Sequence, residues 1–131
     1  MLSHSDEAFY DILQKVLRDR LHFYRIIKVN AVQDVLQHPV VNEPILLAVF
    51  DHEMFGLDNH QWLTSIRNHL GAGARVAIAS ASADKRNIIL ALESGAHGYL
   101  LKTYSVVELT RSLQLMVNGG IYVPASLADL Q

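Results

Sequence analysis

The chain has 131 residues, half of them apolar and 18% charged, with a formal net charge of −2. That length and apolar content suit one domain with its own core and exclude a chain that is mostly disordered. A near-neutral balance without a block of Lys and Arg argues against direct nucleic-acid binding, and the lack of cysteine excludes disulfide frameworks, thiolate zinc sites and thiol catalysis.

In chain order, Phe9, Ile12, Leu13, Val16 and Leu17 recur at helical spacing and predict an amphipathic helix from Glu7 to Asp19. Phe23 to Val29 is rich in β-formers but interrupted by Arg25 and Lys28, which suits an edge strand. A short helix is expected from Ala31 to Gln37, capped by Asn30 and stopped by Pro39. Ile45 to Phe50 is an unbroken apolar run, as in a strand covered on both faces. Trp62, Leu63, Ile66 and Leu70 mark a helix that ends near Gly71, and Arg75 to Ala79 reads as a second buried strand. Asp84 caps a helix carrying Ile88, Ile89, Ala91 and Leu92, closed by Gly95. Gly98 to Leu101 is a short strand. Ser105 followed by Glu108 forms a capping box for a last helix, which closes at Asn118, Gly119 and Gly120.

Strands alternating with helices of this length predict a parallel sheet with helices on both faces, a doubly wound α/β domain. No linker-like run or repeat interrupts residues 1–120, so these are read as the domain and 121–131 as a tail. The longest apolar run is too short to cross a bilayer, and the first residues lack the features of a secretory signal. The expected location is the cytoplasm.

In such folds the chemistry lies beyond the carboxyl ends of the strands. Those ends present Asp51, Ser80 and Lys102, and a strand ahead of Asp6 and Glu7 would add that acidic pair. Carboxylates about 5 Å apart repel by about 3 kcal/mol at an effective dielectric near 20. A divalent cation removes that repulsion, so carboxylates, a hydroxyl and an ammonium together suit a metal-assisted phosphoryl site. Each residue also has a plainer reading. Asp51 would cap a turn, and Asp6 and Glu7 would favour the dipole of a helix capped by Ser3 or Ser5. Ser80 would be an ordinary strand-end hydroxyl, Lys102 a solvated cation and Tyr99 a half-buried aromatic. The seven His residues are scattered, His52-Glu53 lacks the second His of a zinc-protease motif, and Gly71-Ala-Gly73 precedes a strand where a dinucleotide loop follows one.

The segment Asp51-His-Glu-Met54-Phe-Gly56-Leu-Asp58, the Ser80 strand end and the run Ala91-Leu-Glu-Ser-Gly95-Ala-His-Gly98-Tyr99-Leu-Leu-Lys102 resemble the receiver domain of two-component response regulators. Gly-Tyr-Leu-Leu-Lys and the exit Gly119-Gly120-Ile-Tyr-Val-Pro124 are similar to the NarL/LuxR-type subgroup. The resemblance covers Ile45 to Ala125 strongly and the earlier part weakly. It implies a CheY-like, flavodoxin-like five-stranded parallel sheet of order 2-1-3-4-5, with a short or irregular first strand. It implies that Asp51 is the phosphoryl acceptor and that Asp6, Glu7, Asp51 and the backbone carbonyl of Glu53 hold Mg²⁺. Ser80 and Lys102 would stabilise the phosphoryl group, and Ser80 and Tyr99 would act as the switch pair. The implied donor is a sensor histidine kinase. A homodimer through the fourth helix, fifth strand and fifth helix, or through another helix face, is also implied. Transcriptional control would fall to a DNA-binding output domain outside this chain, with no nucleic acid or membrane bound by this domain itself.

Some residues depart from the family pattern. Met1-Leu-Ser-His-Ser5 is polar where an apolar central strand is usual, Phe55 and Asn59 stand where Pro and Gly are usual, and Thr103 replaces Pro or Asp. These changes predict a reshaped loop after Asp51. They also keep open a second reading, a phosphorylation-independent pseudo-receiver serving as an interaction or dimerisation module. A phosphatase using Asp51 as nucleophile is disfavoured, because Glu53 stands where haloacid-dehalogenase-type enzymes have a second Asp. The chain is expected to be a switch that turns over no external substrate.

Overall fold

A computed structural model describes residues 7–22, 35–37, 45–52 and 61–124. Within them the elements run α1 (Glu7–Asp19), β1 (Leu47–Asp51), α2 (Gln61–Leu70), β2 (Arg75–Ser80), α3 (Lys85–Glu93), β3 (Gly98–Leu101) and α4 (Val106–Val117). The expected strands before Asp6 and over Phe23–Val29 lie outside the described residues. Of the expected helix from Ala31 to Gln37, residues 35–37 are described: Val35 and Leu36 are helical, Gln37 is in a turn, and Val35 is buried.

The three described strands form one parallel sheet in the order β1-β2-β3. Leu47 pairs with Arg75 through to Asp51 with Ala79, and Ala77 pairs with Gly98 through to Ser80 with Leu101. Parallel neighbours need a crossover, and α2 and α3 supply them. The two-residue period of a strand then divides the core in two. Ala48, Phe50, Val76, Ile78 and Tyr99 pack with Leu63, Ile66, Ile88 and Ala91 of α2 and α3. Leu47, Val49, Ala77, Ala79 and Leu100 pack with Tyr10, Leu13 and Leu17 of α1 and with Leu109, Leu113 and Met116 of α4. Every residue of β1 is buried, which accounts for its lack of polar alternation.

The helix ends follow the cap chemistry read from the sequence. The Asp84 carboxylate accepts from the Arg86 N–H at 2.9 Å. Ser105 and Glu108 exchange side-chain-to-backbone hydrogen bonds at 2.9 and 3.2 Å. Two boundaries differ from expectation. β1 begins at Leu47 and not Ile45, since pairing with β2 starts there and Leu46 is more than half exposed. It also takes in Asp51, which pairs with Ala79, and β2 takes in Ser80, which pairs with Leu101 and whose carbonyl accepts from the Lys102 N–H at 2.9 Å.

At the amino edge of the sheet, Arg75 donates from Nε to the Met116 carbonyl at 2.9 Å and from its other arm to the Gly120 carbonyl. His97 Nδ1 accepts from the Val76 N–H at 2.9 Å, and Tyr122 donates its N–H to the His97 carbonyl. Tyr122 is thereby tied to the sheet, in an isolated parallel bridge with Gly98.

Two outcomes follow from this packing. A Cβ at Gly98 would collide with the Met116 sulfur. Gly98→Ala is expected to cost about 1–3 kcal/mol in urea unfolding, and adding Met116→Ala should give a double variant far from the sum of the two singles. Burial, then the charges of Arg75 and Arg67, lower the His97 pKa from its ordinary 6.5 to about 4. The unfolded chain therefore binds a proton between those values that the folded chain does not. Stability is full above about pH 6.5 and falls as pH drops toward 4, by about 1 kcal/mol given the partial exposure of the ring. Thermal melts across that window should show the slope, and His97→Asn should flatten it.

Candidate functional site

The carboxyl edge of the sheet gathers Asp51, Ser80 and Lys102, because β1, β2 and β3 run parallel and end together. Asp51 is fully buried, and its Oδ2 lies 2.6 Å from Lys102 Nζ, whose side chain is only 7% exposed. Asp51 shares strand parity with Leu47 and Val49, and Lys102 with Leu100, so the pair forms on the side of the sheet covered by α1 and α4. The backbone bond from Lys102 to Ser80 fixes where the lysine stem begins. Such a pair gives up much hydration, and its attraction offsets that loss only while both partners stay together.

Ser80 and Tyr99 share parity with Ile78 and belong to the other side, under α3. The Ser80 hydroxyl accepts from the Ser82 N–H at 3.0 Å. Ser82 Oγ in turn accepts from the Asp84 N–H and from Asn87 Nδ2, each at 3.1 Å. Tyr99 is fully buried and donates its hydroxyl to the Ser82 carbonyl at 2.7 Å. The expected switch aromatic is thus turned inward, its hydroxyl tied to the loop that follows Ser80.

Glu7 stands exposed at the start of α1. Asp6 and Glu53, together with Phe55 and Asn59, lie outside the described residues. Among the described residues no three of His, Asp and Glu cluster to hold a metal ion. The donor set read from the sequence is nevertheless all oxygen, and that chemistry fits a hard divalent cation such as Mg²⁺. Beside Asp51, His52 Nδ1 is buried without a partner among the described residues.

Sequence reasoning missed Tyr10. It is 1% exposed and donates its hydroxyl to Asp51 Oδ2 at 3.3 Å. Ile12, expected in the apolar face of α1, is 39% exposed instead. The available signal was spacing: Tyr10 falls on one stripe with Leu13 and Leu17, and a buried tyrosine hydroxyl usually finds a polar partner. A tyrosine pair lies farther on, with the hydroxyls of Tyr104 and Tyr122 2.7 Å apart and their rings edge to face. Burial, then the bond to Tyr122, pushes the Tyr104 pKa up.

No family model matches the chain. It is 21% identical over 131 residues to a glycerol metabolism activator from Pseudomonas putida, an alignment covering all of this chain and 59% of that protein. The chain therefore spans less than two thirds of the length of that curated relative. Its structure is similar to that of a LuxR-family two-component response regulator from Aurantimonas sp. SI85-9A1. The TM-score there is 0.79 at 18% identity, covering 98% of this chain and 90% of that one. It is also similar to the isolated REC domain of RcsB from Salmonella enterica serovar Typhimurium, whose structure was determined with the phosphomimetic BeF₃⁻. That match has a TM-score of 0.77 at 12% identity, over 97% of this chain and 93% of that one. These likenesses show the fold, the doubly wound CheY-like receiver fold. No helix among the described residues is long and apolar enough to cross a membrane.

The buried pair predicts an asymmetric mutational response. Lys102→Met strands the Asp51 charge and should cost about 3 kcal/mol or more in urea unfolding. Adding Asp51→Asn to that variant should recover most of the loss.

Proposed function

We propose that the chain is a response-regulator receiver domain in which Asp51 accepts a phosphoryl group from the phosphohistidine of a sensor histidine kinase. The observation that carries this reading is the Asp51–Lys102 pair at the carboxyl edge of a receiver-type sheet. A carboxylate oxygen of Asp51 attacks phosphorus in line. The P–N bond breaks, and its electron pair stays on the imidazole nitrogen, which then takes up a proton. Catalysis of this kind rests on positioning and charge compensation. Lys102, on a flexible stem, follows the new negative charge to a phosphoryl oxygen. Ser80 donates a hydrogen bond to another, and Tyr99 holds the inward position that this change favours.

Asp6, Glu7, Asp51 and the Glu53 carbonyl would hold Mg²⁺, which when bound supplies compensation for carboxylate and phosphoryl charge. The domain turns over no external substrate in this reading. Phosphorylation alters the face of α3, β3 and α4 and with it homodimerisation, through that face or another helix face. Transcriptional control through a DNA-binding output domain and a cytoplasmic location belong to the same proposal. The Pseudomonas relative, an activator by name, and the LuxR-family neighbour support it.

A second reading is favoured by one observation: Asp51 has no exposed surface in this structure. A carboxylate sealed beneath Lys102 and Tyr10 serves equally as a structural lock in a pseudo-receiver that acts by protein contact alone.

Incubation with Mg²⁺ and acetyl phosphate, followed by intact-mass measurement, separates the two. The expected result is the added mass of one phosphoryl group on wild type and none on Asp51→Asn; an unmodified wild type would leave the pseudo-receiver. Trp62 gives a second readout, since its ring meets Phe50, the neighbour of Asp51, edge to face at 5.8 Å. Mg²⁺ should change Trp62 fluorescence saturably in wild type and not in Asp51→Asn.

A further inference from the structure

We propose that Tyr10 is a positioning residue for the Asp51 carboxylate, an inference that rests on the acceptor reading of Asp51. Its hydroxyl reaches Oδ2 at 3.3 Å, the same oxygen that Lys102 holds at 2.6 Å. The two donors differ in how firmly they are mounted. Lys102 has a four-carbon stem and follows charge. Tyr10 has two side-chain torsions, is buried in the α1 face of the core, and meets Phe9 edge to face at 4.9 Å. A phenylalanine would fill the same space, so packing alone does not account for the hydroxyl at a buried carboxylate.

Both donors meet Oδ2, and the two contacts together set the orientation of the carboxyl plane. With acetyl phosphate as donor, a bond forms between an Asp51 carboxylate oxygen and phosphorus, the bond from phosphorus to the acetate oxygen breaks, and the electron pair leaves with acetate. When Lys102 moves to a phosphoryl oxygen, Tyr10 stays and keeps the carboxyl plane from turning.

The test is Tyr10→Phe, with Leu13→Val as a variant that loosens the same helix face without touching the carboxylate. Tyr10→Phe should lower the maximal rate of phosphorylation by acetyl phosphate about fivefold, the effect of one lost hydrogen bond, at an unchanged half-saturating concentration. The infrared carboxylate band of unphosphorylated Asp51, isolated by subtracting Asp51→Asn, should shift in Tyr10→Phe and stay in place in Leu13→Val. A band and a rate unchanged in Tyr10→Phe would overturn the proposal, as would a shift without loss of rate or the same shift in Leu13→Val. The acceptor reading fails separately, if wild type takes up no phosphoryl group, and the proposal then falls with it.

Discussion

The buried ion pair between Asp51 and Lys102 is the constraint around which the rest is arranged. It joins the ends of the first and third described strands across the second, so it forms only if the sheet is parallel and in register. Two charges removed from water also demand walls. Those walls come from α1 and α4, whose apolar faces meet Val49, Ala79 and Leu100 immediately below the pair. Small alanines on that side of β2 leave room for both helices to cover the pair.

The strand period then assigns the chemistry to two sides. Asp51 and Lys102 belong with α1 and α4, whereas Ser80 and Tyr99 belong with α2 and α3. The carboxyl edge is where the two meet. The Lys102-to-Ser80 backbone bond links them directly, so the acidic side and the hydroxyl side are consecutive rungs of one ladder.

Much of this was legible in the residues. Glu7–Asp19, Asp84 as a cap, the Ser105–Glu108 box and the Gly98–Leu101 strand all follow from spacing and cap chemistry, which are local properties. Asp51, Ser80 and Lys102 were legible as strand ends. What escaped was set by tertiary contact. Tyr10 counts as polar or apolar by its surroundings, and only the position of Asp51 across the sheet makes its hydroxyl meaningful. Ile12 looks like core by hydropathy, yet it sits at the edge of the α1 stripe. Extension of β1 to Asp51 depends on a partner strand far along the chain, which no local window contains.

The tyrosine pair has a mechanical consequence. Tyr104 lies two residues beyond Lys102, and Tyr122 is fastened by its backbone to His97 near the opposite end of β3. Hydroxyl contact between them makes a rigid strut along the flank of a four-residue strand. A displacement of the turn that carries the lysine must therefore push on or release the segment at Tyr122, without β3 itself having to bend.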